Sequence, residues 1–306
     1  MTDIEIVADG LAWPEGPVWM EDGSVIVVET AAGLITRIRA DGSKHRVATP
    51  GDGPNGIAVG PDGHLYVCNN GGMICHHVDG LTFATADAPA DYETGRIERV
   101  DIATGTVERL YDVVDGVNLV APNDIAFDAH GGFWFSDVSK HRENYTLDGG
   151  IFYAKADGSG ITRVLDRVGA NGIGLSPDGK TLYAAVTFER HVLAYDVIAP
   201  GELDLANAFP APGRVLAAFP GRQTVDSLGV TADGTVCVAT VLENPGITSI
   251  DPVSGAQSLF PLPDLAPTNI CFGGADMRDA WITLSTSGRL ARTRWEKPGL
   301  RLPHYA

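Results

Sequence analysis

Six carboxylate or amide side chains recur at one place in a repeated pattern along this 306-residue chain: Glu15, Asn55, Asn123, Asn171, Asp226 and Asn269. Each opens a stretch of about sixteen residues, as in EGPVWMEDGSVIVVET or NGIAVGPDGHLYVCNN, in which apolar residues alternate through a turn into a second strand-like run. If these openers converge on one point, they form a cage of oxygens. Two carboxylates and several amide oxygens, with no thiolate or imidazole at the repeated position, suit a hard divalent cation, Ca²⁺ first and then Mg²⁺ or Mn²⁺. The charges of Glu15 and Asp226 balance such an ion, and without it they repel. An Asn-Gly pair can also be turn chemistry alone, because Asn tolerates left-handed backbone. Six polar openers in register argue for the cage, and Glu15 before Gly-Pro and Asp226 before Ser-Leu are not Asn-Gly turns at all.

Such a cage could do hydrolytic chemistry. A cation with an open coordination position polarises a carbonyl and stabilises the developing oxyanion. Asp226 is the candidate general base for the attacking water. Glu15 is expected to be a pure ligand, with Asn123 and Asn55 orienting substrate through their amides. A serine or cysteine nucleophile finds no support, since the chain has no GxSxG elbow.

The elements that must position these residues are short hairpins. NGIAV, PDGH and LYV make two β-rich runs around an Asp-Gly turn, a strong hairpin signal. The intervening stretches, such as GLITRIRADGSKHRVAT and GRIERVDIATGTVERLYD, alternate in the same way, so each repeat supplies about four strands. The openers lie 40, 68, 48, 55 and 43 residues apart, a spacing typical of propellers. The expected fold is all-β: a six-bladed β-propeller forming a single domain over residues 1–306, with four antiparallel strands per blade. The last blade lacks a fourth strand after GRLARTRW and IEIVAD at 4–9 lacks a partner, so the N-terminal strand is expected to close the ring.

Composition sets limits. Hydrophobic content of 44%, 37 Gly and 19 Pro suit a turn-rich globular β protein, and no apolar run approaches the length of a membrane span. A formal charge of −17 opposes nucleic acid or anionic lipid as partner. The first residues show no secretory pattern, and Cys68, Cys75, Cys237 and Cys271 lack CxxC spacing, so reduced thiols and a cytoplasmic location are expected.

EGPVW at 15–19, APNDIAFDAHGGFWFSD at 121–137, ANGIGLSPDGKTLYAA at 170–185 and DSLGVTADGTVCVA at 226–239 resemble the senescence marker protein, gluconolactonase and regucalcin-like family of six-bladed propellers. The resemblance implies a divalent metal held by Glu15, Asn171 and Asp226, with Asn123 on substrate or metal. It implies hydrolysis of a sugar lactone such as an aldonolactone, or, as in relatives of similar architecture, of aryl esters or organophosphates. The metal is open among Ca²⁺, Mg²⁺, Mn²⁺, Zn²⁺ and Fe²⁺. A non-catalytic calcium-binding propeller is the competing reading.

Several residues outside the pattern are secondary candidates. His76 and His77 lie in the long segment from Asn69 to Glu93, where a lid could select substrate. His77 is therefore assigned to substrate binding, as is Trp19 for its nearness to Glu15. Trp13 and Trp134 are read as packing between sheets. Asp137 is read either as a second cation site or as a turn-closing carboxylate, and Asp124 either as a turn residue or as support for Asn123.

Overall fold

The computed structural model describes residues 4–206 and 212–304. Six antiparallel sheets follow one another in chain order, and the first strands of neighbouring sheets touch all round the ring, including the first against the sixth. Five blades begin at their innermost strand: Pro14–Trp19, Pro54–Val59, Pro122–Phe127, Ala170–Leu175 and Thr224–Val230. The sixth begins at Pro267–Gly273 and runs outward through Asp279–Leu284 and Arg289–Arg294 to the N-terminal strand Glu5–Ala8, in which Glu5 pairs with Arg292. The expected closure by the N-terminal strand is what the chain adopts.

Burial falls from the axis outward, as the sequence pattern requires. The second strands Val25–Glu29, Leu65–Asn69 and Val236–Val241 are buried at every residue, whereas the outer strands Lys44–Ala48 and Gln257–Pro261 are largely exposed. Second strands carry nearly continuous apolar runs because blades cover both their faces. Six apolar clusters result, one between each pair of neighbours: Ile26, Ile57 and Leu65 between blades 1 and 2, for instance, and Trp134, Ile173 and Leu182 between blades 3 and 4. Phe135 stacks on Phe152 with ring centres 5.0 Å apart, and Tyr66 meets Phe127 edge-on at the same distance. Each such buried aromatic or aliphatic side chain stabilises the ring by about 1.5–3 kcal/mol. The cysteines Cys68 and Cys237 are buried in these layers, and all four cysteines are free. Among the described residues, no helix is long and apolar enough to cross a membrane.

Of the hairpins that interrupt the pattern, Val113–Val114 with Val117–Asn118 joins blades 2 and 3, and two lie within blades: Ile74–Val78 with Leu81–Thr85 in blade 2 and Lys140–Arg142 with Tyr145–Leu147 in blade 3. Both follow second strands, whose ends pair with the beginnings of first strands, as Asn69 does with Pro54 and Asp137 with Pro122. They therefore emerge at the end of the channel where the first strands start. There they are tied together, the His141 N–H donating to Ala86 O at 2.9 Å and the Ala88 N–H to His141 O at 3.0 Å. The Thr82 N–H also donates to Thr286 O of blade 6 at 2.9 Å, so the blade 2 hairpin reaches across the mouth.

Candidate active site at the strapped mouth of the channel

Every first strand carries a β-bulge near its start, where the register shifts between Glu15 and Val18, Pro54 and Ile57, Pro122 and Ile125, Ala170 and Ile173, Val225 and Leu228, and Pro267 and Asn269. A bulge re-aims one side chain out of the alternation. Proline before the bulge, as at Pro14, Pro54, Pro122 and Pro267, is tolerated because the innermost strand is an edge and needs no donor there. Glycine after it lets blades approach: a Cβ at Gly56 would lie 2.4 Å from the Asn123 carbonyl oxygen.

Glu15, Asn55, Asn123, Asn171 and Asp226 are thereby brought together on the floor of one cavity of about 490 Å³, a size suited to small molecules. Asn269 does not join them. The position equivalent to the other openers in blade 6 is Thr268, one residue after the strand's initial Pro267. Asn269 sits one place further along the strand, caps its own chain by accepting from the Ile270 N–H at 2.8 Å, and lines a different cavity. The blade 6 turn GGADMRD is longer than Pro-Asp-Gly, and aligning on the turn shifts the register by one. The Thr268 hydroxyl lies 2.9 Å from the Thr283 hydroxyl and also contacts Ser285 Oγ, and its proximity eases the charge on Glu15.

Electrostatics at this floor is unfavourable without a cation. Burial raises Glu15 well above the usual carboxylate range, and the nearby Asp226 and Asp124 add to the effect. Burial likewise pushes Asp226 up to about 7, although the Asn171 amide and the Ser227 N–H donate to it. Asp124, beneath them, is also raised to about 7 by burial and accepts from the backbone N–H groups of Ile125 at 3.0 Å and Ile173 at 3.3 Å. It joins blades 3 and 4, while the Ser227 hydroxyl of blade 5 donates to Asn171 Oδ1 at 3.3 Å. Oδ1 of Asn55 and Oδ1 of Asn123 are buried with no hydrogen-bond partner. Unsatisfied buried acceptors cost free energy and call for an explanation. Two bare amide oxygens beside two destabilised carboxylates are the donor set a hard divalent cation would satisfy, so these residues fit one. Among the described residues, no group of three or more His, Cys, Asp or Glu side chains is spaced for a metal, so such a cation would depend on amide oxygens beside Glu15 and Asp226.

The walls come from elsewhere. Trp13 and Asn70 line the cavity with Met73, Ala84, Thr85 and Ala86 of the blade 2 insertion, Lys140 and His141 of the blade 3 hairpin, and Phe188 of blade 4. His77, expected to contact substrate, does not line it. His76 and His77 are exposed at the far end of their hairpin, where His77 Nδ1 lies 3.1 Å from Thr82 Oγ1, and only the hairpin's base and return strand reach inward. Trp19 does not line it either. Four residues along an extended strand carry it about 13 Å from Glu15, to the cavity of about 560 Å³ at the opposite end of the channel. There it packs in the apolar layer between blades 6 and 1. Asp137 is the turn-closing carboxylate: it accepts from the Val120 N–H at 2.8 Å and from the Ala121 N–H, fastening the lead-in to Asn123.

Residues 13–286 match the family described as the SMP-30/Gluconolactonase/LRE-like region. The chain is 27% identical over 241 residues to lactonase drp35 of Staphylococcus saprophyticus, covering 77% of this chain and 65% of that protein. It is 27% identical over 211 residues to the gluconolactonase of Zymomonas mobilis, covering 60% and 51% respectively. The matches thus span about half to two thirds of these relatives' length. Among solved structures, regucalcin of Agrobacterium tumefaciens, a calcium-binding protein, superposes with a TM-score of 0.77 at 18% identity, covering 100% of this chain and 98% of that one. A gluconolactonase of Xanthomonas campestris superposes with a TM-score of 0.74 at 22% identity, covering 95% and 89%. At these identities the superpositions speak to the fold.

Proposed function

The chain belongs to the SMP-30/Gluconolactonase/LRE-like family, and on that premise we propose that it hydrolyses a lactone, a sugar lactone such as an aldonolactone, with one divalent cation held by Glu15, Asn171 and Asp226 and flanked by Asn123. The observation that carries the reading is the convergence of buried Glu15 and half-buried Asp226 with the unpartnered oxygens of Asn55 and Asn123 on the floor of a small-molecule cavity. Ca²⁺ is the ion an all-oxygen set suits first. When bound, the cation supplies Lewis-acid polarisation of the lactone carbonyl and balances the charge that develops on its oxygen.

The chain's own residues do the rest. Asp226, its carboxylate fixed by the Asn171 amide and the Ser227 N–H, takes the proton of the attacking water. That proton passes to the ring oxygen as the ester bond breaks, leaving a hydroxy acid. Glu15, which accepts from the Gly16 N–H at 3.3 Å, keeps the second negative charge in place. The Asn55 and Asn123 amide N–H groups orient the substrate's oxygens, and the tied hairpins limit water at the mouth.

The test is a panel of aldonolactones, aryl esters and a phosphotriester, assayed after chelation with EDTA and after adding back single divalent ions. Lactone turnover that is lost on chelation and restored by Ca²⁺ supports the reading. Turnover unchanged by chelation would remove the cation from it, and failure on every ester would leave a calcium-binding propeller.

A further inference from the structure

Lys140 is buried at the wall of this cavity, with only 4% of its surface exposed. Taking an ammonium out of water is costly unless an anion meets it. Its contacts here are neutral. Nζ donates to the Gly72 carbonyl, and the ammonium lies 5.3 Å from the centre of the Tyr92 ring. The acid that acts on it electrostatically is Asp137, which is not within ion-pair distance and whose oxygens accept from the Val120 and Ala121 N–H groups. One of the three ammonium donors goes to Gly72, and no carboxylate of the described residues takes the other two.

A clamp on the Gly72 carbonyl would need only a neutral donor, and Asn70 already accepts from the Gly72 N–H at 2.9 Å. The positive charge therefore exceeds what the local structure uses. Among the described residues lining the cavity, Lys140 is the one lysine or arginine; its neighbour His141 has Nδ1 3.1 Å from Thr146 Oγ1. In a chain of net charge −17, with Glu15 and Asp226 balanced by the proposed cation, the Lys140 ammonium is the charge left to favour an anionic group at the cavity wall. A neutral aldonolactone would use the donors of such an ammonium but not its charge.

We propose that the lactone bound here carries a second carboxylate, as in the lactone of a sugar dicarboxylic acid, and that Lys140 is the residue that receives it. The inference rests on the lactone reading above and narrows its substrate class. A desolvated ammonium meeting a carboxylate forms a short charge-assisted hydrogen bond, so Lys140 would determine specificity without touching the bond that breaks.

The experiment compares two lactones of the same ring size, one ending in a carboxylate and the other in a hydroxymethyl group, with the Ca²⁺-loaded wild type and with K140M and K140R. In the wild type, kcat/KM is expected to favour the carboxylated lactone by tenfold or more. K140M should lower that preference at least tenfold, mainly through KM, while K140R should keep it within a few-fold. A preference that K140M leaves unchanged would overturn the proposal and return Lys140 to a structural role, as would a wild type that favours the neutral lactone. If neither lactone is opened, the lactonase reading falls by itself, and calorimetry with the open-chain dicarboxylate decides the anion site. Binding to the wild type that K140M weakens tenfold or more supports it; no binding to the wild type overturns it.

Discussion

Replacing Asp226 with asparagine should stabilise the metal-free protein above neutral pH while abolishing its response to Ca²⁺. Burial lifts Asp226 from an ordinary 3.8 to about 7. For an acid raised on folding, the stabilising contribution is complete below the unfolded value of 3.8, drains away as the pH climbs, and is gone above about 7. Such a rise corresponds to about 4 kcal/mol at full burial, and because Asp226 keeps contact with the open cavity about half of that, 2 kcal/mol, is a fairer figure. For a chain of this length, 2 kcal/mol moves Tm by about 3 °C. The expected result in EDTA at pH 8 is therefore a Tm about 3 °C higher for D226N than for the wild type, with the gap closing near pH 3. Adding Ca²⁺ to a hundredfold above its Kd should raise the wild type by about 2.7 kcal/mol, or about 4 °C, and leave the variant in place. Thermal denaturation followed by circular dichroism reads both effects. A D226N protein that is no more stable than the wild type in EDTA at pH 8, or that keeps the Ca²⁺ shift, would refute the reasoning.

Three further outcomes follow from the same geometry. G56A forces a Cβ against the Asn123 carbonyl oxygen 2.4 Å away, and should cost about 3 kcal/mol, seen as a lower urea midpoint together with weakened turnover because Asn55 and Asn123 move. D137A strands the buried N–H groups of Val120 and Ala121 and should cost about 2–4 kcal/mol, whereas D137N, which retains one acceptor, should lose about half as much in the same denaturant assay. Burial pulls Lys140 down to about 8, with Arg142 acting in the same direction and Asp137 opposing. Tyr92, pushed up to about 12, stays neutral beside it. The ammonium charge is thus present below pH 8 and lost above it, so KM for the carboxylated lactone should rise about tenfold per pH unit beyond that point. A preference that stays flat from pH 7 to 10 would count against it.

What could be read before folding was whatever local pattern dictates. Asp-Gly turns between alternating runs specify hairpins, their spacing specifies blades, and IEIVAD stood out because it had no sequential partner. Five of the six openers were legible for the same reason. Asn269 was misplaced because turns vary in length while the bulge does not. The steadier marker was the proline just before the bulge, at Pro14, Pro54, Pro122 and Pro267, and alignment on it points to Thr268. His77 and Lys140 were beyond local reading. Which of two inserted hairpins turns its base inward, and whether a lysine at a strand start is buried, depend on contacts between distant segments, such as Lys140 with Gly72, 68 residues apart.

The misplaced residue also shows how the ring is organised. Thr268 carries a hydroxyl where five other blades carry a carboxylate or an amide, and that hydroxyl is engaged with Thr283 and Ser285 of its own blade and with the Pro14 carbonyl. Its neighbour Ser285 donates to the Pro14 carbonyl at 2.6 Å, so the sixth blade grips the backbone at the first opener. That blade is the one assembled from both ends of the chain. The blade that closes the ring is thus also the blade whose Thr268 and Ser285 hydroxyls meet the Pro14 carbonyl just before Glu15, although neither Glu5–Ala8 nor Arg289–Arg294 lines the cavity.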